Sequence, residues 1–233
     1  LYARVDAAVG ARTRALGWDA RPGESREETA TREHFAGLLA ALGDPGLSRL
    51  AVAQATAAPS RALRFLKPDL LCAAVRAEPA VFDRVLAAAT GAEDGHERRL
   101  LAAALGAAHD PARLTHALDL LLVPADADAG YALLAGAERE GALLDVVAQY
   151  LLDHAGALQP IFKTHGLRPI LTALTASCDA TRADALHART LAAFGGNRRT
   201  DAQIERAFRK MARCAAARPA QVARIEAWLA GPP

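Results

Sequence analysis

Large flat side chains are scarce in this chain: two tryptophans, three tyrosines and six phenylalanines make up 5% of 233 residues. Valine and isoleucine are also sparse, and apolar and polar residues nowhere alternate with period two over a strand's length, which excludes a sheet-based core. Lysine is nearly missing, with Lys67, Lys163 and Lys210 the only three. A net charge of +2 and a pI near 8.6 fall short of a nucleic-acid footprint, which calls for a basic stripe or a pI above about 9. No nucleic-acid partner is therefore expected. No run approaches the roughly 20 apolar residues of a membrane span, and no signal peptide is visible, so no membrane partner is expected either. Cys72, Cys178 and Cys214 show no CxxC spacing, and each falls inside a predicted helix. They are expected to be small, reduced core residues of a cytoplasmic protein, with a disulfide pair as the open alternative. The chain opens on Leu1 without a methionine, which predicts a fragment of a longer protein and leaves export of that protein open.

Alanine, by contrast, supplies about a quarter of the residues. It is the strongest helix former and lets helices approach closely, so many packed helices are predicted. Stop and start signals divide the chain into about fourteen. Residues 16–25 are the clearest junction. Gly17 ends the lead-in helix, Pro22 and Gly23 make a turn, and Trp18 offers an apolar anchor. Ser25 with Glu28 then forms a capping box. Asp44-Pro45 and Asp110-Pro111 each pair a capping carboxylate with a proline at the first helical position, and Glu78-Pro79 is a related start. The last helices are expected at 181–194, 201–217 and 219–229. Short connections make consecutive helices antiparallel neighbours, and two helices per roughly 30–45 residues predict an all-α, HEAT-like solenoid. Residues 1–17 are read as a lead-in helix and 18–233 as one helical domain.

The chemistry-bearing residues are dispersed. Zinc peptidases need two histidines one helical turn apart with a glutamate between them, but after His96-Glu97 the second ligand position holds Leu100. The other histidines, His34, His109, His116, His154, His165 and His187, are scattered, so no metal site is expected in this chain. Neither GxSxG nor GxxxxGK[ST] occurs, and no catalytic residue is assigned. Acidic groups such as Glu24, Glu27, Glu28, Asp126 and Asp128 sit at helix starts, where they complement the helix dipole. Phe162, Tyr150, Tyr131 and Trp228 read as packing residues. One basic constellation stands out: Gly195-Gly196-Asn197-Arg198-Arg199-Thr200, a loop opening a helix, where N–H groups and guanidiniums suit an anion such as a peptide carboxylate. Arg206 and Arg209 would extend it, and Arg182 has a similar position at another helix start. The more ordinary reading is a solvated loop with a Thr200 cap.

The 16–25 junction, Phe82-Asp83-Arg84-Val85-Leu86, the Ala-Ala-Leu-Gly segment before Asp110-Pro111, Gln149-Tyr150-Leu151 and the closing Ile-Glu-Ala-Trp-Leu follow one another in a recognisable order. In that order the chain resembles the helical C-terminal domain of the aminopeptidase N family of zinc aminopeptidases, in its endoplasmic-reticulum and puromycin-sensitive type. The resemblance implies a HEAT-like superhelix that encloses the substrate cavity of an enzyme removing N-terminal residues from peptides. Enrichment in arginine and alanine suggests a GC-rich bacterial genome, so the parent would be a bacterial metallo-aminopeptidase, with zinc and catalysis in an N-terminal catalytic domain that is this chain's partner, and this chain alone would be inactive. The resemblance also implies that Arg182, Arg198 and Arg199 bind the carboxyl end of the peptide substrate, and Arg206, on the following helix, is assigned with them as the extension of that patch. Two departures stand against the family pattern: Ala125-Asp126-Ala127-Asp128 keeps only the aspartate of an Arg-x-Gln-Asp sequence, and Ala155 replaces a tryptophan. The alternative is a stand-alone HEAT-like scaffold that binds another protein. An HExxH helix encoded upstream of Leu1 would separate the two.

Overall fold

The computed structural model describes residues 2–58, 60–123 and 127–230, and every regular element among them is helical. Leu1, Ala125 and Asp126, and with them the helix start expected at Asp126, lie outside the described residues. The lead-in runs from α1 (Tyr2–Val5) through a π-helical turn (Asp6–Gly10) into α2 (Ala11–Leu16). Gly17 ends it at φ 69°, a conformation that glycine adopts without a Cβ clash. Trp18 is buried and donates its indole N–H to the Leu47 carbonyl at 3.0 Å, so it anchors the turn. Ser25 and Glu28 satisfy each other's backbone N–H groups at the start of α3 (Arg26–Ala41), completing the capping box. Glu24 serves another purpose than dipole complementation: it holds the buried Arg32 guanidinium at 2.9 Å, which keeps its own carboxyl below the usual range.

The Asp-Pro starts form as their residues dictate. Asp44 accepts from the Leu47 N–H at 2.8 Å to open α4 (Pro45–Ala57), and Asp110 accepts from Arg113 to open α8 (Pro111–Leu118). Asp44 also receives Tyr2 at 3.1 Å and Arg14 at 2.6 Å, which ties the lead-in to the body. Between α4 and α8 come α5 (Pro68–Ala77), α6 (Pro79–Gly91) and α7 (Gly95–Leu105). After α8 follow α9 (Ala127–Glu140), α10 (Leu144–Asp153), α11 (Ala155–His165), α12 (Arg168–Leu174), α13 (Ala180–Phe194) and α14 (Arg198–Ala230).

Helices pack chiefly on those one and two places along the chain: α4 on α5, α6 on α7 and α13 on α14, with α3 on α5, α5 on α7, α8 on α10 and α11 on α13. A single buried apolar cluster runs from Trp18 to Met211 through these contacts. Its tightest crossing is α7 on α9, where a Cβ on Gly136 would overlap the Ala103 carbonyl and one on Gly106 would meet the α9 backbone.

Three expectations are corrected here. The helices expected at 201–217 and 219–229 are one, α14, with Pro219 inside it. Proline removes one helical hydrogen bond, but residues 216–228 are exposed on every face, so water can take the freed carbonyl. Trp228 is not a core residue: it is 60% exposed, and its contact is with the Arg4 guanidinium, 4.5 Å above the ring. Cys178 and Cys214 form a disulfide, with Cα atoms 5.1 Å apart, while Cys72 stays a buried thiol that burial pushes up to about 11. No single helix among the described residues is long and apolar enough to cross a membrane.

Candidate functional site

A cleft of about 1190 Å³ opens between the end of α9, the helices α11 and α12, the α12–α13 connection and the first half of α14. It exceeds the roughly 300–1,000 Å³ of a small-molecule pocket, so it has room for a length of extended chain. The geometry of its main wall comes from the helical repeat. Arg199, Gln203, Arg206, Lys210 and Cys214 recur at steps of three or four along α14 and so share one face, which lines the cleft. Ile204, Phe208 and Met211 lie about a third of a turn away or more and are buried against the neighbouring helices. The disulfide joins this wall to the connection opposite, since Cys178 and Cys214 both line the cleft.

Charge is the cleft's distinguishing property. Arg139, Lys163, Arg168, Arg199, Arg206 and Lys210 line it, each an exposed cation with no carboxylate in ion-pair reach among the described residues. Among the described residues, Glu138 is the only acid in the lining. Such a clustering of one sign between low-dielectric walls draws in anions and holds them with charge-assisted hydrogen bonds. The apolar floor includes Phe162 and Phe194, whose rings meet edge to face at 5.7 Å.

The four arginines picked out from sequence separate in space. Arg199 and Arg206 stand in the cleft wall, whereas Arg198 is exposed at the start of α14 outside the lining. Arg182 is elsewhere: its guanidinium pairs with Asp145 and donates to the Leu144 carbonyl at 2.7 Å, which pins α13 to the start of α10. Its side chain is only 11% exposed, and burial pulls its pKa below the ordinary arginine value. Arg209 turns away toward Glu205 at 3.9 Å.

The helix start reads differently too. Asn197, not Thr200, is the cap, accepting from the N–H groups of Arg199 and Thr200 at 3.1 and 3.0 Å, while Asp201 accepts from Gly196. Those amides are already satisfied by the chain itself, so anion binding falls to the side chains. Lys210, Lys163, Arg168 and Arg139 were missed in the sequence. For Lys210 a signal existed, because 199, 206 and 210 fall on one helical face; the other three come from elements distant in sequence.

Nothing in this site resembles a hydrolytic centre. Among the described residues no group of three His, Cys, Asp or Glu side chains could hold a metal ion. Histidines have individual partners instead: His187 meets Glu205 at 3.0 Å, His154 stacks on Tyr150 with centroids 4.1 Å apart, and His109 stands 3.5 Å from Glu140.

Comparison with known proteins gives one result for the chain as a whole. The family model described as "ERAP1-like C-terminal domain" matches residues 2–212, which takes in the lead-in helix and stops within α14. No curated protein and no solved structure matches.

Proposed function

The chain belongs to the family of ERAP1-like C-terminal domains, and we propose that it is the substrate-enclosing part of a bacterial zinc aminopeptidase, holding the carboxyl end of the peptide in the α9–α14 cleft. The observation that carries this reading is the cleft itself, with six unpaired cations and one carboxylate on its walls among the described residues. A peptide whose N-terminus is being processed elsewhere has one obligatory negative charge at its far end, and this cleft is complementary to it. The packing of most helices on those one and two places along supports a HEAT-like superhelix whose concave side faces a catalytic domain. Zinc and the water-activating glutamate would belong to that catalytic domain, so the chain alone would release no amino acid from a peptide.

Charge-removing variants of the main wall test the assignment. A fluorescent peptide with a free carboxylate is expected to bind the chain, and Arg199→Ala combined with Lys210→Ala to weaken it about tenfold or more, by loss of two charge-assisted contacts. Arg182→Ala, outside the cleft, is expected to lower stability rather than affinity. Unchanged affinity in the double variant would remove the cleft from consideration.

A further inference from the structure

Among the described residues, Glu138 is the one charged group of the lining that the anion-binding reading leaves unused. It belongs to the last turns of α9, is half-buried, and makes no hydrogen bond or ion pair among the described residues, although six cations line the same cleft. Arg139 cannot serve it, because adjacent residues on a helix point in different directions. A carboxylate held in this way is poorly solvated and unpaired; burial alone pushes its carboxyl up to about 7. A glutamine or leucine would fill the same space without that penalty, so a purely structural role does not account for the acid. The same cleft is lined by the partly buried ring of Phe162, an apolar surface suited to the methylene stem of a long side chain.

We propose that Glu138 is the receptor for a basic side chain, lysine or arginine, at the last or next-to-last position of the bound peptide. The inference rests on the cleft's reading as the site of the peptide's carboxyl end. Six like charges on the walls would turn such a side chain away; a single carboxylate placed among apolar groups reverses the preference locally. The cleft then reads two features at once, an anionic end through the cations and a cationic side chain through Glu138.

The test compares peptides that differ only in lysine or norleucine at the last or next-to-last position, all with free carboxylates, binding to the 233-residue chain by fluorescence anisotropy. The lysine peptide is expected to bind about tenfold tighter than its norleucine twin at one of the two positions. Glu138→Gln, which keeps the shape, is expected to abolish or invert that ratio, and Glu138→Ala to do the same. Equal binding of the twins at both positions, or a lysine preference that survives both variants, overturns the assignment of Glu138 and leaves the carboxylate reading standing. Failure of every peptide to bind overturns both.

Discussion

A carboxylate that is harder to ionise in the folded chain than in the unfolded one makes stability depend on pH, and Glu138 supplies such a group. Its carboxyl is raised from 4.5 to about 7 by burial. Between those values the folded state binds more protons than the unfolded state, so stability falls as pH rises through about 7. Glutamine at this position carries no charge and is indifferent to that change. Thermal melts of Glu138→Gln and the parent are therefore expected to differ more at about pH 8 than at about pH 5, with the variant ahead at the higher pH; an equal difference at both would show that Glu138 is as well solvated as an ordinary surface acid. Legibility at this scale follows sequence distance. Ser25 with Glu28, Asp44 with Leu47 and Gly17 act within a turn of themselves, and their roles could be read directly. Arg182 finds its partners Leu144 and Asp145 almost forty residues upstream, and no local pattern announces that.

At the level of elements, α14 was misread for a physical reason: proline is a reliable breaker only where the lost hydrogen bond would be buried, and around Pro219 it is not. The same helix carries the basic face of the cleft, and its wall is fastened by the Cys178–Cys214 bond, which closes a loop of 36 residues. Cross-linking over that separation limits the unfolded chain by about 3–4 kcal/mol in the chain-entropy treatment. Cys178→Ser with Cys214→Ser is expected to lower the unfolding midpoint by about 5 °C or more under non-reducing conditions. An unchanged midpoint would mean that the wall is held by the Ile204, Phe208 and Met211 packing alone. Cysteine spacing could not reveal the pair, because separation along the chain says nothing about which helices become neighbours.

For the whole molecule, the all-helical class followed from alanine content and repeated caps, whereas the site did not follow from any single segment. Its cations come from α9, α11, α12 and α14, and only the packing order of those helices brings them to one cleft. The long α14 also reaches back to the opposite end of the chain, where Trp228 meets Arg4 of α1. Membership of the ERAP1-like C-terminal family, covering residues 2–212, implies a parent aminopeptidase, and the proposed role of the cleft would give that membership a chemical content. The claim that this cleft holds the carboxyl end of a peptide is tested most directly by a pair of otherwise identical peptides, one ending in a free carboxylate and one in an amide, titrated against the chain. The acid is expected to bind about tenfold tighter or more at low ionic strength, with the advantage shrinking as salt is added. Equal affinity of acid and amide, at any salt concentration, would contradict it.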